Sequence, residues 1–277
     1  MEKKIKILVA AHKADPNIKS DKVYMPIHVG KALHPDLNLG FQGDDTGDNI
    51  SEKNTSYCEL TALYWAWKNL KDVDIIGLAH YRRYLNIDET EMERFLESPG
   101  MILPKRFHCR TDNYTNLASI LTYEETIIAV DTLLSMYPDT RESVKKYFYQ
   151  SNKYTVFNMF ISDWNTFDRY ASFMFPYLEE LEKRLKTHSY DRLKRNIGYI
   201  AEAVLGVWID YAKIRIKYVP TIDFSFSPYN KGIRGKIRNI QRDLGFKITY
   251  LPAHQKIYYY GAALQALKNQ GIAIADL

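Results

Sequence analysis

The sequence predicts an α/β protein built on a central, mostly parallel sheet. Two observations support this class. The segments IKILVAA (residues 5–11) and VDIIGLA (residues 73–79) are short, continuous and rich in apolar residues, as strands buried on both faces are. A loop and a helical pattern lie between them, and the order strand, loop, helix, strand favours a parallel sheet. The second half of the chain has mostly helical patterns and ends in a basic segment.

The other elements follow from turn formers, caps and periodicity. Residues 43–54 hold turn formers and acids, which predicts a loop. Ser56 and Glu59 have the spacing of a capping box at the start of a helix. We expect further strands at residues 100–104, 155–162 and 214–220, and helices at residues 123–136, 141–150, 163–186 and 195–213. Residues 1–220 are then predicted to form one domain and residues 221–277 a basic helical appendage.

Composition limits the compartment more than the activity. The 22 tyrosines suit partly wet surfaces that hold ring-shaped ligands, but they suit a core equally well. Only two cysteines are present, Cys58 and Cys109, and they lie outside any CxxC pattern. This predicts a reducing compartment and neither a disulfide framework nor a structural zinc site. We see no N-terminal signal pattern and no apolar run of roughly 20 residues, so we expect a cytoplasmic protein.

The net charge of +5 is mild but unevenly distributed. Residues 231–247 hold six Lys or Arg and one Asp, with Ile233, Ile237, Ile240 and Leu244 at helical spacing. Such a segment predicts a basic amphipathic helix. Two interpretations stay open: the helix lies on an anionic membrane surface, or it packs its isoleucines on the body of the protein.

Cations and aromatic residues follow two predicted strands where those strands end. Ligands of open α/β sheets bind at the carboxyl ends of the strands, and arginine offers a planar fork of donors to phosphate oxygens. We find no GxxxxGK[ST] loop, no GxGxxG after the first strand, and no HxH or HExxH among the seven histidines. The residues expected to meet at this edge are His12 and Lys13 after the first strand, His80, Tyr81, Arg82 and Arg83 after the second, and Asn158.

Three blocks resemble a known family. NISEKNTSYCELTALYWAWKN (residues 49–69), GLAHYRRYL (residues 77–85) and NMFI (residues 158–161) are similar to signature blocks of bacterial polysaccharide-biosynthesis glycosyltransferases. This family was first catalogued as a domain of unknown function in capsular and exopolysaccharide loci, and some members are galactofuranosyltransferases. The resemblance extends from the first strand to about Tyr211.

The resemblance implies a GT-A-like nucleotide-sugar-binding fold and a UDP-sugar donor. It implies an inverting transfer, with UDP-galactofuranose as the expected donor and a lipid-linked precursor of capsule, exopolysaccharide or O-antigen as acceptor. The enzyme would work at the inner membrane face, where the basic appendage meets anionic lipid. The resemblance places Asn158 against a sugar hydroxyl and Tyr57 as a stacking surface for uracil. The other expected donor-side residues are Ala11, His12, Lys13, Asp48, Asn49 and Asn54.

Many GT-A enzymes have an Asp-x-Asp motif after an apolar strand, whose metal ion holds the donor diphosphate. Here residues 79–83 (AHYRR) stand in the corresponding place. A fixed positive cluster could neutralise the leaving UDP instead, so we expect no bound metal. The alternative is that Asp44, Asp45 and Asp48 form an oxygen-rich loop that holds Mg²⁺ or Mn²⁺.

Glu202 is the first candidate for the catalytic base, and Asp163 the second. An inverting transfer needs a carboxylate to take the proton of the acceptor hydroxyl. Gly198, Glu202 and Gly206 share one helical face, so no side chain one turn away would hinder a ligand. A purely structural helix, with Glu202 paired to an arginine, would show the same spacing. The family usually has an arginine after this glutamate, whereas Ala203 follows it here.

Two other classes of function stay open. One is a non-catalytic scaffold of a capsule-assembly complex, for which Ala203 leaves room. The other is a nucleic-acid-binding protein with interleaved basic and aromatic residues, although the mild charge is against it.

Overall fold

A computed structural model of the protein describes residues 3–225, 232–249 and 258–274. The strands are β1 (Ile5–Ala11), β2 (Tyr24–His28), β3 (Ile75–His80), β4 (Arg83–Leu85), β5 (Met101–Pro104), β6 (Phe107–His108), β7 (Lys153–Tyr154), β8 (Phe160–Asp163), β9 (Ile216–Val219) and β10 (Thr221–Asp223). The α-helices are α1 (Asn54–Tyr57), α2 (Leu60–Asn69), α3 (Glu89–Phe95), α4 (Asn113–Ile120), α5 (Tyr123–Met136), α6 (Arg141–Val144), α7 (Trp164–Arg184), α8 (Asp191–Lys194), α9 (Asn196–Tyr211), α10 (Gly232–Ile248) and α11 (Tyr258–Asn269). Short 3₁₀ turns lie at Lys31–Leu33, Ser51–Lys53 and Pro138–Thr140, and a π turn at Lys145–Tyr149.

The main sheet has the strand order β2–β1–β3–β8–β5–β9, and the pair β4–β10 continues it beyond the end of β3. The longest pairings, β1 with β2 and β1 with β3, are parallel, and so is β5 with β9. This confirms the predicted α/β class with a largely parallel sheet. The strand predicted at residues 155–162 is the shorter β8, and it runs antiparallel to both β3 and β5.

Contacts between residues divide the chain into two compact units, which we describe separately. The sheet unit comprises residues 3–105, 156–175 and 214–225. The helical unit comprises residues 106–155 and 176–213 and the described residues from 232 onward. Helix α7 contributes to both and passes from one to the other at Pro176. The domain boundary that the sequence suggested after residue 220 stays a prediction, although β10 pairs with β4 in the sheet unit.

One face of the main sheet carries a large hydrophobic cluster of the sheet unit. Alternate residues of a strand point to the same face, and Ile5, Ile7 and Val9 of β1 are buried there. The cluster continues through Val23, Ile75, Ala79, Tyr84, Leu85, Met92, Leu96, Ile102, Met159, Ile161 and Val219. Because β1 and β3 both contribute to this cluster, packing holds the carboxyl ends of these two strands in place.

The expected capping box at Ser56 and Glu59 is wrong. Ser56 lies inside α1, and its hydroxyl donates to the carbonyl of Lys53. Helix α1 ends before Cys58, whose φ of 53° is left-handed, and α2 begins at Leu60. Glu59 makes no side-chain cap there, and its carboxylate contacts other residues of the sheet unit instead.

The helical unit packs around large aromatic side chains. Tyr147, in the π turn, fills the space above Gly206 of α9, where an added Cβ would lie 2.1 Å from the tyrosine ring. Cys109 is 4% exposed, and burial raises the pKa of its thiol to about 12. Within the described ranges, no helix is long and apolar enough to cross a membrane.

Candidate functional site

The carboxyl ends of β1 and β3 lie side by side, as the sequence predicted. Ala10 pairs with His80, and the backbone N–H of Tyr81 donates to the carbonyl of Ala10 at 3.2 Å. The rings of His12 and Tyr81 meet edge to face with their centroids 5.4 Å apart. We call the group formed by His12, His80, Tyr81, Arg82, Arg83 and Asn158 the edge cluster.

Asn158 reaches the same edge by a route that the sequence did not predict. Because β8 is antiparallel to β3, Asn158 precedes a strand here and does not follow one. Phe157 and Asn158 both have left-handed backbones, with φ of 71° and 51°. This turn directs the Asn158 amide inward, where its Nδ2 donates to Glu59 Oε1 at 2.8 Å, and both side chains are buried.

The same turn orients His80. The carbonyl of Phe157 lies 2.8 Å from His80 Nε2, and a carbonyl can only accept, so Nε2 carries the proton. Glu59 Oε1 lies 3.9 Å from the same nitrogen. His80, Asn158 and Glu59 therefore form one polar network behind the exposed part of the edge.

Arg82 is held beside a loop acid. Its Nε donates to Asp15 Oδ2 at 2.8 Å, and its guanidinium packs over the ring of Tyr81 at 4.9 Å. The backbone N–H of Asn17 and then Arg82 lower the pKa of Asp15. Among the described residues, the two terminal nitrogens of Arg82 make no hydrogen bond, and the side chain is 37% exposed. Arg82 is thus positioned and still has donors for a ligand.

Arg83 is engaged more fully. Its Nε donates to Asp223 and its Nη2 to Ser225 Oγ, at 3.0 and 3.1 Å, and its guanidinium lies over the Phe157 ring. Burial raises the pKa of Asp223, but hydrogen bonds from Ser225 and from Arg83 lower it by more. Each arginine of the edge cluster therefore faces an acid, which offsets part of the positive charge of the cluster.

The acidic loop at residues 43–54 is an organised turn. Asp44 is fully buried, and its carboxylate accepts the backbone N–H groups of Gly30 and Lys31 and the hydroxyl of Ser51. Asp48 accepts from the hydroxyl of Tyr64 at 3.1 Å. In the described part of the chain, no three His, Cys, Asp or Glu side chains are grouped as metal ligands. Asp44 is already used in shaping this loop.

The residues expected around uridine have local partners here. Asn49 Oδ1 accepts the backbone N–H of Ser51. The amide of Asn54 donates to the carbonyl of Cys58 and to Thr61. Tyr57 is 3% exposed, so stacking on uracil requires its ring to be uncovered. Lys13, next to His12 after β1, is exposed.

Asp163 lies at the opposite end of the strands, where β3 begins. It pairs with Ile75 at the start of β3, and His80 is five residues further, about 16 Å along the strand. Its carboxylate accepts the N–H groups of Gly100 and Thr166 and the Thr166 hydroxyl, so it caps α7. The structure does not bring this second candidate base to the edge cluster.

Glu202 lies in α9 of the helical unit and is half-buried. The expectation that Gly206 leaves open space for a ligand is wrong, because Tyr147 occupies that space. Burial, then Tyr147 and Glu202, raise the pKa of Tyr154 well above its ordinary value, which places the Glu202 carboxylate near this phenol. Ala203 is fully buried, so the arginine that the family resemblance implied would not fit there without rearrangement.

The sequence missed three acids that shape the edge. Glu59 was interpreted as a cap, and Asp15 and Asp223 were not considered. Asp15 stands four residues beyond β1, so its closeness to that strand end was a usable signal. Asp223 contacts Arg83 across 140 positions, and no local pattern indicates that pairing.

Comparison with solved structures finds a match to the apo structure of WbbM, a bifunctional glycosyltransferase. The TM-score is 0.72 at 30% identity, over 80% of this chain and 45% of that chain. This chain thus spans less than half of the matched chain. A comparison with curated proteins finds no match. The sheet and this similarity define a GT-A-like α/β protein related to glycosyltransferases.

The family model for a domain of unknown function, DUF4422, matches residues 6–213. The protein belongs to this family. The match covers the edge cluster and α9, and it ends before α10.

Proposed function

We propose that the protein is a glycosyltransferase that takes its sugar from a UDP-sugar. The similarity to WbbM supports the transferase class over a nucleic-acid-binding protein or a scaffold. The edge cluster at the carboxyl ends of β1 and β3 carries the proposal, because this is where open α/β sheets bind ligands. The finer choice is UDP-galactofuranose as donor and a lipid-linked polysaccharide precursor at the inner membrane face as acceptor. It is supported by the sequence blocks at residues 49–69 and 77–85.

Arg82 is the side chain that we expect to hold the diphosphate. Asp15 and the Tyr81 ring fix the guanidinium, so little side-chain entropy is lost when a phosphate oxygen binds its terminal nitrogens. Arg83 is better suited to hold β4 and β10 together, because Asp223 and Ser225 occupy its donors. A diphosphate would then be stabilised by Arg82, by His12 and by backbone groups at the end of β1.

Glu202 is proposed as the base of an inverting displacement. The acceptor hydroxyl oxygen attacks the anomeric carbon of the donor, the bond from that carbon to the diphosphate breaks, and UDP leaves with the bonding electrons. Glu202 takes the hydroxyl proton, a task for which a half-buried carboxylate is suited. Replacing Glu202 by Gln should lower the transfer rate by about 10²–10⁴ while UDP binding persists.

Calorimetric titration with UDP tests the donor site. It is run in EDTA and then in Mn²⁺ on wild type, Arg82→Ala, and Arg169→Ala as a matched exposed arginine of the sheet unit. We expect binding in EDTA that weakens about tenfold or more in Arg82→Ala and is unchanged in Arg169→Ala.

The other outcomes contradict parts of the proposal. Binding only with Mn²⁺ would transfer the phosphate contacts to the acidic loop at residues 43–54. No binding in either condition would refute the UDP-sugar transferase.

A further inference from the structure

Helix α10 exposes an apolar stripe. Ile237, Ile240, Leu244 and Ile248 are 49%, 59%, 52% and 82% exposed. Their spacing of three, four and four residues places them on one face of the helix. Ile237, Ile240 and Leu244 are therefore not buried against the body of the protein, which was one of the two interpretations of this segment, and the side chain of Ile233 lies outside the described ones.

The orientation of the stripe is fixed by contacts on the other side of the helix. Asp243 accepts the backbone N–H of His108 at 2.7 Å and lies 3.1 Å from His108 Nδ1. The amide of Asn152 donates to the carbonyl of Phe246 at 3.0 Å. At 100° per residue, Phe246 is about 180° around the helix from Ile237. The helix is therefore docked by one face and presents the apolar stripe outward.

Exposed cations lie on either side of the stripe: at 100° per residue, Lys247 is about 20° beyond Ile240 and Arg238 is about 80° beyond Ile248. Arg238, Arg242 and Lys247 are exposed, and the one acid of this stretch, Asp243, is engaged by His108. Like charges placed along one surface favour an anionic partner.

The neighbouring strand β6 extends the same surface. Phe107 is 44% exposed beside Arg106 and Arg110, and together with Ile240 and Leu244 these residues line a groove of roughly 760 Å³. Apolar side chains and three arginines, Arg106, Arg110 and Arg242, line this groove together. The combination suits a partner that is both anionic and apolar.

We propose that this surface docks the protein on an anionic lipid bilayer. The apolar stripe would enter the boundary between headgroups and acyl chains, and the cations beside it, Arg238 and Lys247, would contact lipid phosphates. A second copy of the chain would bring the same cations against each other, and a nucleic acid would leave the isoleucines exposed to water. The proposed function enters this proposal only in the identity of the membrane, which would be the inner membrane face. Binding to lipid itself is measured without any sugar and does not depend on the proposed function.

Vesicle flotation of the full chain tests the surface. The vesicles are phosphatidylcholine alone or mixed with phosphatidylglycerol. We expect binding to the mixed vesicles only, about tenfold weaker in the double variant Ile237→Ser/Leu244→Ser. The double variant Arg238→Gln/Lys247→Gln should lose about 25-fold at low salt, at about fivefold per cation. The matched control Tyr190→Ser/Arg192→Gln changes an exposed tyrosine and an exposed arginine of the same unit and should bind like wild type.

Three results would overturn the proposal. These are wild-type binding no better to anionic than to neutral vesicles, equal loss in the control variant, and a concentration-dependent dimer that the Ser variants abolish. Circular dichroism checks that the variants fold. We expect them to fold because the changed side chains are exposed. UDP titration of the same variants separates a failed docking surface from a failed donor site.

Discussion

The turn at Phe157 and Asn158 allows a prediction whose two contributions can be separated. Replacing Asn158 by Ala removes the amide that donates to the buried carboxylate of Glu59. A hydrogen bond to a charged group contributes about 1.5–3 kcal/mol. Asn158 has a φ of 51°, and alanine in this left-handed region costs about 1–2 kcal/mol more. The free energy of unfolding should therefore fall by roughly 2.5–5 kcal/mol in Asn158→Ala.

Asn158→Gly is the matched variant, because glycine also removes the amide but adopts the left-handed backbone without strain. Glycine also gives the unfolded chain more conformational entropy, which lowers the stability of the folded protein by about 0.4–1 kcal/mol. The Gly variant should therefore be more stable than the Ala variant by about 1 kcal/mol net. Urea unfolding followed by tryptophan fluorescence and circular dichroism measures both, and coincident curves are required. Equal stability of the Gly and Ala variants would refute the backbone argument. Wild-type stability in both would refute the bond to Glu59.

Other perturbations have signs fixed by the structure. Gly206→Ala should destabilise the protein by about 1–3 kcal/mol, because the added methyl meets the Tyr147 ring, as urea unfolding would show. Gly245→Ala, in α10 with open space around it, should instead raise stability by up to about 1 kcal/mol. Burial raises the pKa of Asp243, but hydrogen bonds from His108 lower it by more, so its contribution is complete above about pH 4 and is lost as the pH falls below that value. The protection factors of α10 amides, which correct for the pH dependence of the intrinsic exchange rate, should fall in wild type as the pH drops below about 4, and Asp243→Asn should remove that fall.

The sheet could be predicted where its strands are continuous and apolar. A strand that is buried on both faces has no polar face to interrupt its apolar pattern, so it is easy to recognise. β1 matched its predicted bounds, and β3 begins two residues later and ends one residue later than predicted. The direction of β8 could not be predicted, since periodicity is the same for either direction. Asn158 therefore reached the expected edge for a reason that the sequence did not contain.

The sequence indicated the cations of the candidate site but not the acids that pair with them. Arg82 and Arg83 follow a strand, which is a local signal, whereas Asp15 and Asp223 reach them across 67 and 140 positions. The glycines of α9 were similarly ambiguous. A missing side chain at Gly206 can admit a ligand or a tyrosine, and only packing shows that Tyr147 is there.

The burial of Cys109 gives the unaltered protein a built-in chemical probe. Burial raises the pKa of the Cys109 thiol to about 12, so hardly any of it is thiolate at neutral pH, and 4% of the residue is exposed. Cys58, at the break between α1 and α2, is partly exposed and is the other cysteine of the chain. A maleimide should therefore attach to Cys58 alone in the native state. Slow incorporation of a second label, followed by mass spectrometry, would then time the opening of the helical unit without a single substitution.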